Sequence, residues 1–366
     1  MVVLRTLVFV AGAAVVFATV RSALRTFLVP RALQAYVARF VFVAVRRLFW
    51  FRANHRHDYE RRDRVMAFYA PVSLVALLAT WITLLYVGFA AMFWALEDVT
   101  VREASTLAGS SIFTLGFARP EGLPAELLSF LAAALGLFLL ALLITYLPSL
   151  YSAFQRREAG VSKLEVRAGA PPSGTYLLQL AWRVGRFESL HDLWGAWEDW
   201  FVDVDESHST FPSLVFFRSP HSDESWTTAA GAVLDAASLY TSSIDVQRTP
   251  DAEFMIRAGY LCLRHIAGFF YLPVDHDPAP TDPISLAREE FDAAYDALAQ
   301  AGLPMKGDRD QAWRDFAGWR VNYDRALIGL ARLTMAPVAP WSSDRVAEAN
   351  FVPPAFPWLR RRGRRS

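Results

Sequence analysis

A chain of 366 residues that is 54% hydrophobic, carries a net charge of +1 and holds a single cysteine is too apolar for an ordinary soluble enzyme. One thiol, Cys262, also excludes an intrachain disulfide and leaves the redox compartment open. The near-neutral total conceals zones of charge: residues 21–64 carry eleven Arg against Asp58, Glu60 and Asp63, residues 97–126 have a net charge of −3, and residues 155–359 hold 28 acids against 18 Lys and Arg. Such zoning speaks to where each segment lies, not to its fold.

In chain order, Met1 to Val20 is apolar apart from Arg5, which lies near enough to the end to snorkel. A secretory signal is the alternative, but its charge order is reversed here, with Arg21, Arg25 and Arg31 following the apolar run. Next, Leu33, Tyr36, Val37, Phe40, Val41, Ala44, Leu48 and Phe51 recur at helical spacing, interrupted by Arg39, Arg46 and Arg47. That pattern predicts either a cytoplasmic connector or a helix in the inner headgroup layer with its arginines on anionic lipid. Ala67 to Leu96 then runs for 30 residues without a formal charge, and Leu127 to Gln155 for 29. About 20 apolar residues cross a bilayer core, so both runs can span it. The positive-inside rule places residues 21–64 in the cytoplasm, the amino terminus and the acidic 97–126 loop outside, and everything after Arg156 and Arg157 inside. The expected location is the inner (plasma) membrane, with membrane lipids as partners.

Ala168 to Gly174 is a linker by composition. Beyond it the spacing predicts a helix starting at Ser189 with Asp192 closing a capping box, and an apolar stripe of Leu190, Trp194, Trp197 and Phe201. Further helices are expected over 224–242, 251–271, 284–302 and 308–334, with the tryptophans at 182, 194, 197, 200 and 226 in the core or in subunit contacts. The expected domains are 1–64, an amino-terminal span with a basic interfacial helix; 65–155, pore-like; 156–174, a linker; 175–345, a helical cytoplasmic domain; and 346–366, a basic tail.

The segment between the two uncharged runs carries the functional reading. It contains Thr114-Leu115-Gly116-Phe117-Ala118, preceded by Arg102 to Ser111, a length that suits a short helix. A Thr-x-Gly-aromatic string there resembles the filter of the two-helix pore unit of potassium-channel-type proteins, over roughly residues 65–155. In that family the filter reads Thr-Val-Gly-Tyr-Gly, often followed by Asp, and its backbone carbonyls replace the hydration shell of an ion. The resemblance implies an all-α membrane protein with three transmembrane helices, a re-entrant pore helix and filter loop, and a mostly α-helical cytoplasmic domain. It also implies a homo-tetrameric pore for monovalent cations, potassium foremost, with Thr114, Leu115, Gly116, Phe117 and Ala118 as filter. Arg119 and Glu121 would stand at the mouth, and Gly136 and Pro148 would let the inner helix bend.

Two departures matter. Ala118 stands where the family has glycine, so alternating backbone handedness would strain it by roughly 1–2 kcal/mol. Arg119 would repel incoming cations, with Glu121 offsetting it. The exit sequence Ile144 to Tyr151 with Arg156-Arg157-Glu158, and Phe211 to Pro220 with Ser225-Trp226, also resemble bacterial membrane proteins of the ion-channel family.

The alternatives are a non-conducting signalling or scaffold protein that keeps the pore fold and, third, an enzyme. The enzyme reading would use Glu198, Asp199, Asp203, Asp205, Glu206 and His208, flanked by His191 and His221, as a metal site, or Ser207, Ser209 and Ser225 as nucleophiles. No metal motif, nucleotide loop or Gly-x-Ser-x-Gly is present, so no cofactor or metal is expected and the chain is not read as an enzyme. The acidic body beside the basic tail argues against nucleic acid.

Overall fold

The computed structural model describes residues 1–27, 36–53, 59–247 and 249–345; the regular structure among them is helical, joined by turns and loops, and the described residues hold one isolated bridge, Ile244 to Met305. The helices are α1 Val2–Phe27, α2 Tyr36–Ala53, α3 Tyr59–Ala67, α4 Tyr69–Leu96, α5 Val101–Ile112, α6 Leu123–Ala168, α7 Gly174–Arg183, α8 Leu190–Thr210, α9 Trp226–Ser243, α10 Pro250–Phe269, α11 Arg288–Gln300, α12 Arg309–Arg320 and α13 Asp324–Thr334. Three stretches are long and apolar enough to cross a membrane: α1, the run Tyr59–Leu96 through α3 and α4, and α6. The basic tail expected at 346–366 lies outside the described residues, as does Leu33.

The chain divides into two compact units, residues 1–51 with 68–152, and residues 52–67 with 153–366. In the first, α1 packs on α4 where neither helix has a side chain in the way. A Cβ on Gly12 would sit 2.6 Å from the Gly88 carbonyl oxygen, and one on Gly88 would sit 2.8 Å from Val16 Cγ2. Lipid offers no solvent penalty to drive helices together, so close backbone approach at small residues supplies the attraction. Trp81 Nε1 donates to Ser22 Oγ at 3.2 Å, and Phe27 meets the Trp81 ring edge-on at 5.2 Å. At the other end of the pair Arg5 bonds Asp98. The amino end of α1 and the carboxy end of α4 therefore share one end of this unit.

Helix α2 bears on the expectation for the basic segment. Tyr69 donates to the Phe42 carbonyl at 3.1 Å and packs between the Phe42 and Phe49 rings. Arg46 lies on the same face as Phe42 and Phe49 and is buried there, not laid on lipid, because that face is turned to α4.

The second unit is built around α9, of whose 18 residues 17 are buried. Ala, Ser and Gly dominate it, so neighbours approach on all sides, as in a helix enclosed by protein. Its one carboxylate, Asp235, meets Arg320, which also holds Asp324 and the Trp341 carbonyl. The stripe Leu190, Trp194, Trp197 and Phe201 is buried as expected. Three expectations differ. Ser189 is already helical in its backbone and makes no side-chain cap. The run 308–334 is two helices, because the chain turns at 321–323 to bring the Tyr323 hydroxyl onto Asp235 at 2.8 Å. Residues 156–168, expected within a linker, continue α6 as helix, and the connection shrinks to 169–173.

Candidate functional site

The hairpin between α4 and α6 begins with a built helix start. Thr100 Oγ1 accepts from the Glu103 N–H at 3.3 Å, and Glu103 Oε2 accepts from the Thr100 N–H at 2.8 Å, a complete capping box. The expected pore helix 102–111 is thus α5, Val101–Ile112.

Its carboxy end closes in a two-bond αL turn. Leu115 N–H donates to the Ser110 carbonyl at 2.8 Å and Thr114 N–H to the Ser111 carbonyl at 3.0 Å, with Thr114 left-handed at φ 55°. Gly116 is also left-handed, at φ 72°, and nothing lies within 4 Å of the place a Cβ would occupy. Backbone conformation, and not space, therefore calls for glycine there. Among the described residues the left-handed positions of this loop before Gly122 are 114 and 116. Handedness does alternate over 114–117, but Ala118 escapes the strain expected of it and Thr114 bears it instead.

Ser110 explains why Ala118 is fixed. Its Oγ accepts from the Ala118 N–H at 3.1 Å and donates to the Ala118 carbonyl at 3.3 Å. Leu115 and Phe117 are exposed in the single chain, as are Arg119 and Glu121. The Glu121 N–H donates to Glu97 Oε1 at 2.8 Å, tying the two ends of the hairpin together.

Gly136 is where α6 receives α5. A Cβ there would collide with the Ile112 carbonyl oxygen and lie 3.1 Å from both the Ile112 carbonyl carbon and its Cγ2. Ser111 Oγ and Ser129 Oγ are 2.8 Å apart about two turns nearer the start of α6, and Gly109 faces the Tyr86 ring. With a rise of about 1.5 Å per residue, Gly136 lies roughly 20 Å along α6 from its start and Tyr86 about 15 Å back along α4 from its end. Helix α6 continues through Gly136 and through Pro148, which is exposed.

A second constellation was not read as a site from the sequence, where Arg157 entered as a topogenic charge and as part of the Arg156-Arg157-Glu158 string. The side chain is fully buried. It donates to Glu158 Oε1 at 2.8 Å, to the Leu214 carbonyl at 2.7 Å and to the Phe217 carbonyl at 2.7 Å. It also lies 3.2 Å from His208 Nε2. A guanidinium can only donate, so His208 Nε2 accepts and its proton sits on Nδ1, which donates to the Val204 carbonyl at 2.8 Å. Burial first, and the Arg157 charge second, hold His208 well below the ordinary imidazole range. Arg218, one residue past Phe217, binds Asp63 of α3 and the Thr334 carbonyl at 2.8 Å. The two stretches of the second resemblance, Arg156-Arg157-Glu158 and Phe211 to Pro220, therefore meet.

The acids and histidines of α8 disperse. Asp203 pairs with Arg156, Asp205 with His265, and His191 with Asp251, and no group among the described residues could hold a metal ion.

No family model matches this chain, and no solved structure does. It is similar to a protein of Bacillus subtilis (strain 168) described as an uncharacterized membrane protein, YdjJ, with 25% identity over 254 residues, covering 66% of this chain and 71% of the relative. With three helices long and apolar enough to span, that likeness fixes the class. The chain is a membrane protein.

Proposed function

We propose that the chain is one subunit of a membrane pore for monovalent cations, potassium foremost, formed by several copies, most simply four. The observation that carries this reading is the seat of the Ile112 carbonyl against Gly136. It supports a hairpin that descends beside the spanning helices to about mid-depth, with the carboxy end of α5 aiming partial negative charge at the loop. Left-handed residues at 114 and 116 support a backbone whose carbonyls turn alternately. One two-helix unit encloses nothing alone, so a closed path requires further copies. The Arg5–Asp98 pair joins the start of α1 to the hairpin's end of α4, which supports the outside amino terminus read from the arginine distribution.

The test is rubidium and sodium flux into proteoliposomes, with oligomer mass measured in detergent. Gly116→Ala forces a Cβ onto a left-handed residue at roughly 1–2 kcal/mol per copy, and rubidium flux is expected to fall with it. Flux indifferent to that change, or a strict monomer, refutes the pore. A specific observation favours a second reading, a non-conducting scaffold that keeps the pore fold: Ser110 ties the Ala118 amide and carbonyl inward. Multimers without flux for either ion would select it.

A further inference from the structure

One buried acid in the second unit has no partner that it can bond as a carboxylate. Glu224 immediately precedes Ser225, the cap of α9, and is only 7% exposed. Both its carboxyl oxygens are shielded from solvent without a hydrogen-bond partner, and so is Glu158 Oε2 on α6. The charged groups acting on Glu224 are Glu165 and Glu158, seven residues apart and so on one side of α6, together with Asp223 beside it. Arg157, which could neutralise that side of α6, is committed to Glu158 Oε1 and to the carbonyls of Leu214 and Phe217. Glu165, itself exposed on α6, is the acid that acts most strongly on Glu224. Two carboxylates are both acceptors and can bond each other only when one carries a proton. Burial first, then Glu165 and the other acids, push the Glu224 carboxyl up to about 7.

We propose that Glu224 and Glu165 form a carboxyl–carboxylate pair that takes up one proton from solvent, making the junction between α6 and the start of α9 a proton-binding site. With the proton present the pair is a hydrogen bond that clasps the start of α9 to α6. With the proton returned to solvent, Glu224, Glu165 and Glu158 are three negative charges on one junction and the clasp opens. The site stands independently of the pore reading, because its readouts need no ion flux.

Between the ordinary value of 4.5 and about 7 the folded chain holds a proton that the unfolded chain has lost. Stability therefore falls as pH rises through that range and levels off above it. The experiment uses the full chain in neutral detergent, recording the unfolding midpoint and the infrared band of protonated carboxyl from about pH 6 to 9. Over the upper part of this range His208 contributes no slope, since its neutral form prevails in both states above its ordinary 6.5. The wild type is expected to lose the band and to drop in midpoint across neutrality. Glu224→Gln is expected to show neither change, and Glu165→Gln to move both toward lower pH. A Glu224→Gln profile that superimposes on the wild type overturns the proposal. So does recovery of the alkaline midpoint by millimolar calcium or magnesium, which would make a metal ion the occupant. Should Glu224→Gln fail to fold, the infrared band of the wild type and of Glu165→Gln decides: a band unchanged with pH in both refutes the shared proton.

Discussion

Replacing Gly136 with alanine separates two roles for that residue by sign. If it served as a bending point, alanine would stabilise α6 by about 1 kcal/mol, the difference in helix propensity. The structure gives it another task, receiving the carboxy end of α5. The new Cβ would strike the Ile112 carbonyl oxygen and lie 3.1 Å from two Ile112 carbons, where carbon pairs settle at about 3.5–4.0 Å. Relief needs about 0.4–0.9 Å of displacement, and α5, about 18 Å long, would have to turn by about 1–3° on its capped start. The obstacle is main chain, with no side chain to swing aside, so the upper end of overpacking costs applies, about 3 kcal/mol. Subtracting the propensity gain leaves about 2 kcal/mol of net destabilisation. Thermal unfolding of the purified full chain in detergent, followed by circular dichroism, should show a midpoint lower by a few degrees. Adding Ile112→Ala should not restore it, because the carbonyl remains. A midpoint equal to or above wild type for Gly136→Ala would refute the packing role and return the hinge.

Ser110→Ala removes both bonds to Ala118 and should cost about 1–2 kcal/mol; hydrogen exchange at the Ala118 amide is expected to quicken, and an unchanged rate would deny the tie. Arg157→Ala leaves Glu158 Oε1 and two buried carbonyls without their donor and should destabilise the chain by roughly 3–5 kcal/mol, read as the chemical-unfolding midpoint. His208 is held neutral, so the folded chain binds fewer protons than the unfolded one below 6.5. Its contribution is fully present above that value and is lost as pH falls below it, with a limiting slope of about 1.4 kcal/mol per pH unit. The wild-type profile minus that of His208→Gln should show that acid-side loss, and a flat difference would argue against the neutral assignment.

The architecture was legible wherever composition alone decides. The uncharged runs 67–96 and 127–155 became α4 and α6, the stretch before Ser111 became α5, and the Trp194 and Trp197 stripe went into the core. What the residues concealed were bonds set by distant segments. Nothing local distinguishes Arg157, enclosed by Leu214, Phe217 and His208, from the neighbouring Arg156 on the surface. Ser110 read as one more small residue in a helix, though its hydroxyl decides how Ala118 is held. The strain expected at Ala118 moved to Thr114 because closing a helix needs a left-handed residue just past its end, and that demand acts before any filter geometry. Residues 156–168 fell within the expected linker, yet Leu164 and Val161 give them an apolar side to bury.

The inward grip of Ser110 on Ala118 sets the height of any ladder built from this loop. Were several copies to meet with their carbonyls turned to a common axis, the uppermost oxygen would already be engaged, leaving rungs at 114, 115, 116 and 117. An ion arriving from outside would have to shed more of its water in one step before reaching the first free ring. Such a conduit would hold fewer ions in file, with weaker mutual repulsion to push them through.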